Sequence, residues 1–357
     1  MKKITVIVLV TALAALPLSA QNIGIGGWAR YYISPIGGTG TFGEDFDKDT
    51  LYASTEAHTV SKFPQRGKIG LATWGNSDYV GFNFDFAYQN AKLEVGDQAQ
   101  VWVRLNDTFM FHAGKIQGNV LRGKIEGGQM IAMEEEDDIF LRFYPQTGML
   151  LDITPLENLY LGASVDTGGK LTDTAENIYD FKSTAGSGFQ LGAGYWFDDL
   201  GHLRVQYISF NDGKPIQAAF ALTSIYNLIL EVGGRFPMNP TKTSPKAVTV
   251  AAQYNLEQLS LMGRVTGNVF DDGFQFKAGS VVKYSINFPL FLGLEASYAA
   301  DDPTTIADDD VIQLAPYAGF KFGRGELRIG LFGEASLTGE KQTYRFEFPI
   351  LFEVKFF

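Results

Sequence analysis

Residues 79–89 read YVGFNFDFAYQ, and this stretch alternates between two kinds of side chain. One face carries the large apolar groups Val80, Phe82, Phe84, Phe86 and Tyr88, and the other carries Gly81, Asn83, Asp85, Ala87 and Gln89. A period of two residues is typical of a β-strand that separates an apolar from a polar environment. The same alternation recurs along the chain as far as residues 343–357, TYRFEFPILFEVKFF. The pattern predicts an all-β fold.

Two all-β architectures share this alternation. A soluble sandwich buries the apolar face in a core, whereas a membrane barrel turns it to lipid and keeps polar side chains in the lumen. The strands of this chain run about ten residues, enough to cross a bilayer at a tilt, while average strands have about five or six. Tyr79, Tyr88 and Tyr226 lie toward strand ends, where an interfacial aromatic girdle is expected. We therefore predict a closed antiparallel up-and-down transmembrane β-barrel.

The number of strands can be checked against the positions of the loops. Eighteen alternating segments can be drawn, the first at 22–34, and an even number is expected of a single-chain bacterial barrel. The segments 66–75 and 139–153 alternate least, and losing one pair would give sixteen strands. Long loops follow the odd-numbered segments, at 35–65, 118–138, 167–187, 237–245 and 301–309. Long loops on one side and tight turns on the other are the topology of outer-membrane barrels.

Composition and the N-terminal segment exclude several classes of protein. The 357-residue chain has no cysteine, which rules out a disulfide scaffold, a zinc–cysteine site and a thiolate nucleophile. Its formal net charge of −11 argues against nucleic-acid binding. A basic start, an apolar run at 4–16 and small residues up to Ala20 predict a signal peptide over residues 1–20. A single barrel domain then covers residues 21–357.

If the apolar face meets lipid, the charged side chains of the other face line the lumen. The basic candidates are Arg30, Lys68, Arg104, Arg204, Arg235, Arg264, Lys277, Lys283, Lys321, Arg328, Arg345 and Lys355, and the acidic candidates are Asp85, Asp166, Glu231, Glu295, Glu326, Glu334, Glu347 and Glu353. More basic than acidic groups make the wall mildly positive, which would concentrate anions. The alternative is that these charges pair across strands and only hydrate the pore.

The signal peptide, the alternating strands, the aromatic girdle and the terminal Phe357 together resemble the outer-membrane porin class of Gram-negative bacteria and spirochaetes. The resemblance spans the mature chain and is architectural, with no motif that names a subfamily. It implies a protein of the outer membrane that contacts lipid, is inserted by the barrel-assembly machinery and can form a homotrimer. It also implies passive diffusion of small hydrophilic solutes without a cofactor.

Counting the shorter connection at 91–97, loop 118–138 is the third connection on the long side, the place of the loop that folds inward in general porins. Arg122 and Lys124 lie near its start, and Glu134, Glu135 and Glu136 lie near its end. An inward fold would set these opposite charges across a constriction. The alternative is a solvated external loop.

Signals for catalysis and metal binding are few. The chain has three histidines, His58, His112 and His202, and no catalytic motif accompanies them, so no enzymatic activity is expected. The acidic run Asp308, Asp309 and Asp310 offers oxygen ligands for Ca²⁺ but lacks EF-hand spacing, and no metal site is expected. A second function class stays open, a surface adhesin or structural envelope protein whose barrel displays loops such as 35–65.

Overall fold

The computed structural model describes residues 22–54, 68–89, 92–116, 120–121, 123–125, 148–166, 188–209, 213–239, 245–270, 273–300, 310–337 and 342–356. The predicted signal peptide and the loops 167–187 and 301–309 lie outside these ranges. In this part of the chain the backbone forms 21 strands and a short 3₁₀ helix at Lys48–Thr50. No helix there is long and apolar enough to cross a membrane.

The strands are numbered in the order in which they occur along the chain. They are β1 (Asn22–Thr41), β2 (Tyr52–Ser54), β3 (Lys68–Asn76), β4 (Val80–Gln89), β5 (Lys92–Arg104), β6 (Phe109–Lys115), β7 (Gly148–Leu156), β8 (Leu159–Asp166), β9 (Gly188–Phe197), β10 (Gly201–Ile208), β11 (Pro215–Leu222), β12 (Leu228–Pro237), β13 (Lys246–Asn255), β14 (Leu259–Val269), β15 (Phe274–Asn287), β16 (Leu290–Ala300), β17 (Val311–Phe322), β18 (Gly325–Gly330), β19 (Phe332–Ser336), β20 (Thr343–Glu347) and β21 (Ile350–Phe356).

The strands form one closed antiparallel sheet. From β3 to β17 each strand pairs with the next along the chain. β1 pairs with β3 on one side and with β20 and β21 on the other, with Tyr31 opposite Phe352. A closed sheet has no free edge, so the backbone donors and acceptors of the wall form hydrogen bonds between neighbouring strands.

The 21 segments make up eighteen barrel strands, as predicted. β2 is a three-residue addition to β1, β18 and β19 form one strand interrupted at Leu331, and β20 and β21 form one strand interrupted before Ile350. Prolines account for both interruptions. Pro316 on β17 and Pro349 between β20 and β21 flank the break at Leu331, and neither has an N–H to donate to the ladder.

The two faces of the wall invert the usual arrangement of a soluble protein. Along β10, His202, Arg204 and Gln206 are buried inside the barrel, while Leu203 and Val205 are 38% and 39% exposed on the outside. Exposed aliphatic and aromatic side chains recur at alternate positions of the other strands. The apolar coat therefore faces outward, as in a barrel surrounded by lipid.

The first strand extends beyond its predicted end. β1 continues to Thr41, and Tyr52–Ser54 pairs back onto it, so the predicted loop 35–65 starts seven residues too early. The sequence pattern predicted a loop in the glycine-rich stretch after Pro35. In the structure these glycines lie in a strand, and aromatic rings pack where their side chains would be. A Cβ atom built on Gly38 or Gly40 would lie 2.8 Å from the Phe346 ring or 2.4 Å from the Tyr344 hydroxyl.

Candidate functional site

The structure places on the inner wall most of the charged side chains that the sequence pattern predicted to line the lumen. Four of them, Arg204, Glu231, Glu295 and Glu347, have no exposed surface, and Arg264 and Arg328 are nearly buried. Strand alternation and ladder register place on the same face Arg30, Asp85, Arg104, Asp166, Arg235, Lys277, Lys283, Lys321, Glu326, Glu334, Arg345, Glu353 and Lys355. Lys68 lies opposite Arg30 in the ladder, and its side chain lies outside the described part of the structure.

Part of the loop 118–138 lies against this wall. The described residues 120–121 and 123–125 include Leu121 and Ile125, which are 0% and 5% exposed. Arg122, Glu134, Glu135 and Glu136 lie outside the described residues, so their predicted place at a constriction stays a prediction. The side chain of Lys124 is exposed.

A buried carboxylate holds this loop segment. Glu231, on β12, accepts hydrogen bonds from the backbone N–H of Lys124 at 2.7 Å and of Ile125 at 3.2 Å. The Arg204 guanidinium, on β10, donates to the same carboxylate at 3.0 Å and reaches the Leu121 carbonyl at 3.5 Å. Charge-assisted bonds of this kind are among the strongest in proteins. The ion pair of Arg204 and Glu231 therefore acts as a latch between wall and loop.

Two apolar patches on the wall receive the loop on either side of this latch. Leu121 packs in a cluster with Ile116, Leu150 and Tyr160, with Trp196 against it. Ile125 packs in a second cluster, together with Ala219 of β11, Ala251 of β13 and Met262 of β14. Apolar side chains on the lumenal face have a structural explanation here, because the loop covers them.

The wall formed by β15 to β21 and β1 has a different character, because many of its charged side chains bond to one another, either across strands or along one strand. Arg30 pairs with Glu353 at 3.3 Å, Arg345 pairs with Glu334 at 3.3 Å, and Arg328 pairs with Glu326. Glu347 accepts hydrogen bonds from the hydroxyls of Tyr32 and Tyr52. Pairing between neighbouring side chains therefore accounts for much of the lumenal charge on this side.

Several lumenal groups were not identified from the sequence as pore-lining residues. Asp152 accepts hydrogen bonds from Tyr160 at 2.5 Å and bonds His112 at 2.9 Å, and His112 also contacts Gln100. Asp152 lies on an alternating strand and could have been found by its parity. The role of Tyr32 could not, because a tyrosine is equally suited to the lipid interface.

The acidic run at 308–310 and the buried His202 make ordinary structural contacts where the structure describes them. Asp308 and Asp309 lie outside the described residues, and Asp310 accepts a hydrogen bond from the Tyr298 hydroxyl at 3.1 Å. Among the described residues, no three His, Asp or Glu side chains group in a way that could hold a metal ion. His202 is buried and stacks on Trp196, with ring centroids 4.2 Å apart.

Comparison with known proteins identifies the architecture. No family model matches the sequence, and no curated protein matches it significantly. The structure is similar to Acinetobacter baumannii OccAB4 (8% identity, 95% of this chain and 100% of that chain, TM-score 0.58). It is also similar to Pseudomonas aeruginosa OccD3 (12% identity, 94% and 92%, TM-score 0.57) and to the P. aeruginosa outer membrane protein opdK (11% identity, 94% and 100%, TM-score 0.56). At such low identity the likeness shows the fold alone. That fold is a closed antiparallel β-barrel of eighteen strands.

Proposed function

We propose that this protein is a water-filled outer-membrane channel through which small hydrophilic solutes diffuse, with a preference for anions. The observation that carries the proposal is the polar, charged inner face of a closed eighteen-stranded barrel. Barrels of sixteen to eighteen strands are wide enough to hold an aqueous channel.

The latched loop segment supports a narrowed pore. The described residues Leu121, Lys124 and Ile125 are held against the wall between β7 and β14 by the Glu231 carboxylate and by two apolar patches. The charged wall formed by β15 to β21 and β1 lies on another part of the circumference. A solute in the lumen would therefore pass between a loop on one side and a row of charged groups on the other.

Charge on that wall supports the preference for anions. Five carboxylates, Glu295, Glu326, Glu334, Glu347 and Glu353, are each bonded to a cation or to a tyrosine hydroxyl. An ion pair cancels both of its charges, so the sign of this wall depends on the net count. Seven basic side chains face these five carboxylates, namely Arg30, Lys277, Lys283, Lys321, Arg328, Arg345 and Lys355. Basic side chains in a narrow, low-dielectric pore raise the local concentration of anions.

The test is electrical recording from purified protein in planar bilayers. We expect discrete conductance steps and, in a salt gradient, a reversal potential displaced toward the anion equilibrium potential. A reversal potential on the cation side would contradict the anion preference, while conduction would still stand. Barrels that insert without conducting would contradict the channel itself and favour display of surface loops.

The remaining expectations belong to the same proposal. The exposed apolar coat would contact outer-membrane lipid after removal of the signal peptide near Ala20, with insertion by the barrel-assembly machinery and assembly as a homotrimer. We expect neither enzymatic activity nor a cofactor.

A further inference from the structure

One aromatic ring on the lumenal wall is surrounded by three cations. Phe291, the second residue of β16, is 2% exposed and faces the lumen near the short turn that precedes β16. The Lys283 ammonium lies 4.0 Å from the ring centroid, the Lys321 ammonium 5.8 Å and the Arg328 guanidinium carbon 5.7 Å. The three come from three strands, β15, β17 and β18, so the closed wall itself brings them together.

The ring holds its position because the neighbouring strand has no side chain beneath it. Phe291 is opposite Gly319 in the ladder, and a Cβ atom on that glycine would lie 1.9 Å from the tip of the ring. Tyr317 lies edge-on to the same ring, at 6.2 Å between centroids. The cluster is therefore built on a rigid base and does not depend on the loops.

The carboxylates near this cluster neutralise only part of its positive charge. Glu326 bonds the Nε of Arg328, and Glu295 is bonded by the Tyr317 hydroxyl. Among the described residues no ion pair joins the ammonium of Lys283 or Lys321 to a carboxylate. Three cations face two carboxylates, which leaves one positive charge in excess. A bound anion would offset this remaining positive charge.

A second observation concerns the guanidinium of Arg328, one of whose nitrogen atoms lacks a hydrogen-bond partner. The side chain is nine-tenths buried, and its Nη1 has no hydrogen-bond partner within the described part of the barrel. Buried donors in native proteins are nearly always satisfied, so an orphan of this kind calls for a partner. A guanidinium matches the geometry of an oxyanion, and an ammonium supplies a further point charge.

We propose that Lys283, Lys321 and Arg328 form an oxyanion-binding site in the lumen, above Phe291 and near the short-turn end of the barrel. The ligand class is a small solute that carries a phosphate or carboxylate group. The site rests on the proposed function, because it would hold such a solute briefly during passage. The proposed site is local and lies on one wall of the lumen, whereas the anion preference proposed above arises from charges along the whole pore.

The test uses the detergent-solubilised full protein and inorganic phosphate, whose ³¹P resonance broadens when it exchanges with a binding site. We expect broadening with the wild type and affinity roughly tenfold weaker in Lys283→Gln and in Lys321→Gln, since each variant removes one charge-assisted contact. Lys277→Gln is the matched control, because Lys277 lies on the same strand and face but outside the cluster. Acetate should displace phosphate, and chloride at the same concentration should not.

The outcomes separate this site from the channel. No broadening with wild type, an equal loss in Lys277→Gln, or displacement by chloride as readily as by acetate would each overturn the oxyanion site. Conduction without phosphate binding would leave the channel standing and remove the site. Phosphate binding to a barrel that does not conduct would leave the site standing and remove solute passage.

Discussion

Replacing Glu231 by glutamine should release the inward loop segment from the wall. The carboxylate accepts two backbone N–H groups, from Lys124 and Ile125, and pairs with a fully buried Arg204. The amide keeps the shape of the side chain, but it has one acceptor oxygen and turns a donor toward the other N–H. It also leaves the Arg204 guanidinium without a counter-charge under the docked loop.

The size of the effect follows from this geometry. Breaking one partner of a buried ion pair costs about 3 to 5 kcal/mol, because the remaining charge stays desolvated. The lower value applies here, since water can reach Arg204 once the loop departs. A loss of about 3 kcal/mol lowers the ratio of docked to undocked loop by roughly 100-fold.

Two measurements report on the position of the loop. Single-channel recording of Glu231→Gln should show larger and noisier currents than the wild type, because part of the lumen is freed. Limited trypsin digestion of the folded protein should cut after Lys124 in the variant and more slowly in the wild type, where the backbone there is hydrogen-bonded.

Two further variants make this prediction specific. Glu334→Gln removes the same charge from the other wall, where it pairs with Arg345, and should leave tryptic cleavage after Lys124 unchanged. Arg204→Met keeps the carboxylate and its two N–H donors, so it should loosen the loop less than Glu231→Gln does. If Glu231→Gln and Glu334→Gln behave alike in both measurements, the latch does not exist.

Two other substitutions test the packing. Ile125→Ala removes an apolar anchor that packs with Ala219, Ala251 and Met262, so docking should weaken by about 2 kcal/mol and single-channel current should rise, whereas Val120→Ala, at a 39% exposed position, should change neither. Gly319→Ala places a Cβ against the Phe291 ring and should lower the free energy of unfolding in urea by about 1–3 kcal/mol. The Cβ of Gly263→Ala meets open space, so this control should keep the stability of the wild type. Equal stability of the two variants would contradict the packing.

The strand pattern of the barrel could be predicted because alternation is a local property of the sequence. Each residue on a strand faces lipid or lumen according to its parity, so Arg204 and Glu231 could both be assigned to the inner face. The end of β1 was missed because glycine and proline after residue 34 are also the residues of loops. Only the ladder partners Tyr344 and Phe346 explain why those glycines are in a strand.

The arrangement within the lumen was much less accessible from sequence. Parity assigns a side chain to a face but does not say which groups of distant strands meet, and Arg204 and Glu231 are separated by β11. Apolar lumenal residues such as Met262 carry no signal of their own, because their role depends on a loop residue far away in the chain. The convergence of Lys283, Lys321 and Arg328 likewise requires the register of four strands.

The most direct test of the account is solute flux into liposomes that contain the purified protein. We predict that small hydrophilic solutes enter at a rate that rises linearly with concentration, and that an organic anion enters faster than a cation of the same size. No flux above that of protein-free liposomes would contradict the central claim that this barrel is an open aqueous channel.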